Sequence, residues 1–140
     1  MNHWSTLLLL AALPAAAPAP VAVQALNFDW SYLPPLKQLG SDHLSTKAMA
    51  RLYEIASEGR CQIPGYVRGR DRLDFKISFA AQFGPKGTLR RVVIPKLNCP
   101  EAEGILGGAL LEMMKRGDYR PTGMNPDGWY VGNLAFGFDG

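Results

Sequence analysis

Two histidines, two cysteines and no lysine or arginine before Lys37 mark this chain by what it has little of. A structural zinc site takes about four nitrogen or sulfur ligands. His3 lies at the extreme amino-terminal end, which leaves His43 as the one histidine of the remaining chain, so no metal site is expected. No G-x-S-x-G, H-E-x-x-H, G-x-G-x-x-G or G-K-[ST] frame occurs. Those absences remove the nucleophile elbow, the zinc-protease helix, the dinucleotide turn and the phosphate loop, and no cofactor is expected. A long apolar run is missing too. Pro14, Pro18 and Pro20 interrupt the one at the start, and a membrane-spanning helix needs about 20 apolar residues. Nor is there a dense basic stripe. The net charge is only +3, and Arg68, Arg70, Arg72, Arg90 and Arg91 are scattered without interleaved aromatics. Nucleic-acid surfaces combine the two, so these arginines read as a solvated face and no nucleic-acid partner is expected.

What is present begins with a strand. Leu73, Phe75, Ile77, Phe79, Ala81 and Phe83 are apolar, Asp74, Lys76, Ser78 and Gln82 lie between them, and only Ala80 blurs the alternation. Successive strand side chains point to opposite faces, so this stretch has one buried and one wet face. Phe83-Gly84-Pro85-Lys86-Gly87-Thr88 follows as a turn, with proline presetting φ and glycines permitting positive φ. Its short length predicts an antiparallel hairpin with a return strand over Leu89 to Ile94. Leu89 and Arg91 are out of phase with Val92 and Ile94, which predicts a bulge near Arg90–Arg91. A last strand is expected over Trp129 to Phe138, with Val131 and Ala135 on one face and Tyr130, Leu134, Phe136 and Phe138 on the other; Gly132 breaks the row.

Two helices are predicted. Over residues 43–58, Ala48, Met49, Leu52, Ile55 and Ala56 recur at steps of three and four. Asp42 or Ser45 would cap the start and Gly59 the end. From Pro100 to Arg116, Leu106, Leu110, Met113 and Met114 form the stripe, with acidic residues at the start and basic ones at the end, as the helix dipole favours. Gly104, Gly107 and Gly108 are weak helix formers and read as sites of close packing on the sheet. The fold class is therefore α+β: a three-stranded antiparallel sheet with a helix packed on one face and an extra amino-terminal helix.

The amino-terminal end reads as an export signal over residues 1–25. Leu7 to Ala12 supply the apolar region, and Val23-Gln24-Ala25 has the small-x-small pattern that places cleavage after Ala25. The alternative is an uncleaved anchor, so the protein is at most peripheral to the membrane. Residues 26–60 form an amino-terminal segment with one helix, its aromatic lead-in Trp30 and Tyr32 laid on the domain; residues 61–140 form the domain itself. Cys61 and Cys99 lie 38 positions apart. In an exported chain two cysteines read as one disulfide, the alternative being two buried thiols.

From residue 61 to the end the chain resembles the carboxy-terminal domain of TonB-type energy transducers. The resemblance rests on Leu73–Phe83, the turn at Gly84–Gly87, Leu89–Ile94, the helix bearing Leu106, Leu110 and Met114, the aromatic-x-Pro step Tyr119-Arg120-Pro121, and the glycine-led strand after Asp127-Gly128. Gly117 stands where the family carries a bulky residue, and the 26–60 segment is short for a spacer across the periplasm. The resemblance implies a periplasmic protein that accepts an extended segment of an envelope or outer-membrane protein as an added strand. Its implied binding edge is the last strand, with Trp129, Tyr130, Val131, Leu134, Phe136 and Phe138. A covered edge or a domain-exchanged homodimer is the alternative there. A structural or inhibitory envelope module without a transport role is the second functional expectation. A small exported enzyme would have to rest on Asp42-His43 as base and Cys61 as nucleophile; a disulfide at Cys61 would remove it, and no catalytic activity is expected.

Overall fold

The computed structural model describes residues 21–27, 29–40, 44–123 and 128–140. Its elements in order are β1 (Ala22–Ala25), β2 (Lys37–Gln38), α1 (Thr46–Ser57), β3 (Arg72–Phe83), β4 (Leu89–Ile94), α2 (Pro100–Arg116), β5 (Tyr119–Arg120) and β6 (Gly128–Asp139). The alternating stretch is β3, and it lies inside the sheet. It pairs antiparallel with β6 from Arg72↔Asp139 to Phe83↔Gly128, and antiparallel with β4 on its other side. Its six inward residues are all buried, and Ala80 is buried as well, on the far face.

The α+β class is as expected, but the sheet needs correcting. It has four strands in the order β1-β4-β3-β6, and β1 runs parallel to β4, so it is mixed rather than three-stranded and antiparallel. A separate two-stranded antiparallel piece joins β2 to β5. The added strand follows from Val21, Val23 and Ala25. These alternate, and all three pack half-buried against the core.

The hairpin turn closes through Gly84 N–H donating to the Thr88 carbonyl at 2.8 Å. Beyond it, Phe83 pairs with Leu89 while Gln82 pairs with Arg91. Arg90 is therefore the extra residue of a bulge, where the broken alternation placed it.

Helix α1 starts on Ser45, whose hydroxyl accepts from Ala48 N–H at 3.1 Å. Asp42, the other candidate cap, lies outside the described residues. Helix α2 opens with Pro100 and ends on Gly117, whose φ of +80° is left-handed and whose N–H reaches back to the helix carbonyls. A glycine there avoids the steric cost of a side chain in that conformation. Among the three helix glycines only Gly107 packs closely: a Cβ there would lie 2.6 Å from Val23 Cγ1. Gly104 and Gly108 face open space. Among the described residues no helix is long and apolar enough to cross a membrane.

Both helices cover one face of the sheet. Leu52 and Ile55 of α1 and Leu106, Leu110 and Met113 of α2 meet Phe75, Phe79, Val92, Ile94 and Leu134 there. Each such fully buried side chain stabilises the fold by about 1.5–3 kcal/mol. Cys61 and Cys99 form a disulfide with their Cα atoms 5.7 Å apart. It ties the exit of α1 to the entrance of α2. Glu101 adds to the tie by accepting from Arg51 on α1 and, at 3.2 Å, from Arg60. These ion pairs are exposed and are worth little singly. The covalent link is the stronger term, because it closes 38 residues in the unfolded chain.

Replacing both cysteines by serine is expected to lower unfolding free energy by about 3–4 kcal/mol, read from urea denaturation. At Gly132 an added Cβ would clash with Cζ of fully buried Phe79. Gly132→Ala is therefore expected to cost about 1–3 kcal/mol in the same assay; an unchanged midpoint would show that Phe79 can shift.

Candidate functional site: the outer edges of the sheet

A sheet edge is built by the main chain, and its side chains set only what lies above and below. In β6 the even positions face the helices. Tyr130 is buried and meets Phe83 edge-on at 5.8 Å. Leu134 is fully buried. Phe136 stacks on Phe75 at 4.9 Å, and Phe138 leans on Tyr53 at 5.8 Å. Trp129 and Val131 are half-buried on the far face, packed with Trp30, Ala80, Val93 and Leu33. Of the residues expected at a binding edge, then, Tyr130 and Leu134 have their side chains in the core. What β6 offers outward is its odd-numbered backbone.

That backbone is partly taken. Val131 N–H donates to the Pro34 carbonyl at 2.9 Å, and Leu36 N–H donates to the Val131 carbonyl at 2.7 Å. The lead-in segment thus lies along the first half of the edge as a short parallel bridge. It is held from behind by β5: Leu39 N–H donates to the Asp118 carbonyl at 2.7 Å, and the Thr122 hydroxyl donates to the Pro35 carbonyl at 2.8 Å. Tyr119 is buried, its ring edge-on to Phe79 at 5.1 Å, and its hydroxyl donates to the Asn133 carbonyl at 3.1 Å. Pro121, half-buried, follows β5 where the chain turns toward β6. The Tyr119–Pro121 step is thus a clamp on the same edge. Asp127, named with Gly128 ahead of the last strand, lies outside the described residues.

From Gly137 to Asp139 no strand pairs with the outer side of β6 among the described residues. Charge marks this end. The Arg72 guanidinium bridges Asp74 at 2.9 Å and Asp139 at 2.8 Å. Those hydrogen bonds, Asp139's first, hold it above the ordinary arginine value. Nearby, the Tyr53 phenol is pushed up, first by removal from water and then by the Asp71 carboxylate.

The opposite edge of the sheet is β1, which sequence reasoning assigned to the export signal and so missed as a strand. The alternation of Val21, Val23 and Ala25 was the available signal. Beside it, on the far face, Trp30, Tyr32, Leu33 and Trp129 line a shallow apolar trough of about 320 Å³ with Gln24, Leu26 and Arg91. Cys61 is oxidised and carries no nucleophile; Asp42 and His43 lie outside the described residues. Among the described residues no group of three or more His, Cys, Asp or Glu could hold a metal ion, and no buried side-chain polar atom lacks a hydrogen-bond partner. Compared with known proteins, the chain matches no family model, no curated protein and no solved structure.

A group with a raised folded pKa keeps its stabilising contribution below its unfolded value and loses it as pH climbs through the folded one. For Tyr53 that window opens at about pH 10 and extends upward. The difference titration between the protein and its Tyr53→Phe variant should show a phenol ionising above the ordinary tyrosine range. Asp71→Asn should bring it only partway down, since burial is the larger cause.

Proposed function

We propose that this is an exported periplasmic protein that binds an extended segment of an envelope or outer-membrane protein by adding it as a strand to β6. The observation that carries the reading is the grip on Val131. Both of its outward main-chain groups already hold an extended segment, Pro34 to Leu36, in the way an added strand is held. Outward groups recur at every second residue of an edge strand, so Gly137 continues the same side beyond the lead-in. Main-chain bonds would supply affinity there, and Phe136 and Phe138 would support the strand from the core side. The disulfide fits an oxidising compartment, and the leader pattern fits export. The resemblance to TonB-type domains adds a link to TonB-dependent transport as the finer form of the reading.

A second reading is favoured by the same capping. With Val131 held by the lead-in and β4 covered by β1, the sheet is largely self-paired. That suits a structural or inhibitory envelope module with no transport role.

Ala135 is exposed, so a photo-crosslinking residue there samples the carboxy-terminal half of β6 in exporting cells. The expected product is an adduct to one defined segment of one envelope protein. Gly137→Pro, which removes an outward N–H, should abolish it. Adducts that are as frequent from Lys47 on α1, or that persist in the Gly137→Pro protein, would sink the strand-addition reading.

A further inference from the structure

We propose that the outer edge of β4, together with the notch over Gly107, is a second strand-accepting site. Its resident occupant is the chain's own segment 21–26. Processing after Ala25 vacates it for a parallel segment of a partner with small or β-branched residues at alternate positions. The inference rests on the export reading above.

Three observations meet at this edge. The first is the fit. Ala22 to Ala25 pair in register with Arg91 to Ile94, and Leu26 N–H continues the ladder to the Ile94 carbonyl at 3.0 Å. Val21, Val23 and Ala25 turn inward, while Ala22 and Gln24 stay exposed. The second is the glycine. Gly107 sits in the middle of α2, where glycine costs about 1 kcal/mol against alanine. A Cβ at that position would press into Val23 Cγ1. A side chain is missing from the helix where the inserted strand needs room, so the notch selects a branched aliphatic residue opposite it. The third is the position of the scissile bond. Val23-Gln24-Ala25 carries the small-x-small pattern, and the Ala25–Leu26 bond follows the strand directly.

Removing residues up to Ala25 would leave the outward main-chain groups of β4 without a strand, beside Val92 and Ile94, which are otherwise fully buried. An open edge next to an apolar slot is a template for another extended chain. Its preference is legible in the departing segment: Val, Val and Ala inward, no charge, parallel direction. This edge lies across the sheet from the Gly137–Asp139 end of β6, so the two sites are independent in the fold.

The test uses the protein as recovered after export. Amino-terminal sequencing is expected to begin at Leu26. A synthetic peptide of sequence Pro-Val-Ala-Val-Gln-Ala-Leu, matching residues 20–26, is then titrated into that protein. The expected result is saturable binding with amide shifts at Arg91 to Ile94 and at Gly107. A peptide carrying Val23→Trp should bind at least about tenfold more weakly, a factor that corresponds to about 1.4 kcal/mol. This variant leaves the protein untouched, so misfolding cannot mimic the loss. A terminus upstream of Leu26 overturns the inference, and so does a protein that begins at Leu26 and leaves the peptide unbound. Failure of the export reading shows as an uncut chain; failure of the edge site alone shows as a cut chain that ignores the peptide.

Discussion

Every other contact is arranged around the antiparallel ladder between β3 and β6. It runs the full 12 residues of both strands without a slip, from Arg72↔Asp139 to Phe83↔Gly128. A single-residue shift would turn Phe75, Phe79 and Leu134 toward water, so the register is fixed by burial. Phe79 over Gly132 fixes it again at the midpoint, since a side chain at that position of β6 would meet the ring. The helices pack on the face this ladder creates, and the lead-in and β5 close around its outer side.

Much of this was legible in the chain because the signals were periodic. The strand at Leu73–Phe83, the turn at Gly84–Thr88, the bulge at Arg90 and the helix from Pro100 to Arg116 each followed from alternation, turn chemistry or capping. So did the pairing of Cys61 with Cys99, since two cysteines allow only one partner choice. Ala80, which spoiled the pattern, turns out to obey a different one. It is buried on the far face against Trp30 and Val93. No local signal could announce that, because Trp30 comes from some fifty residues upstream and is placed there only by the fold.

The candidate site was less legible for two physical reasons. An edge is made of backbone, which every residue carries, so naming Tyr130 and Leu134 as edge residues picked side chains that point into the core. And Val21 to Ala25 fits two patterns at once. Small and branched residues at alternate positions suit both an export cleavage site and a strand wedged beside a helix. The sequence reading took the first and lost the fourth strand. Only the missing side chain at Gly107, seen together with Val23, reveals the second use.

Trp30 and Trp129, the described tryptophans, lie on the same small patch of the far face. Trp4 falls within the stretch read as the leader. A chain processed after Ala25 would therefore keep its indole emission in a single place, beside Leu26, Arg91 and Val93 at the outer edge of β4. Its intrinsic fluorescence would be a local optical gauge, sensitive to water at that corner of the sheet and nearly silent about the helices, the disulfide and the distant end of β6.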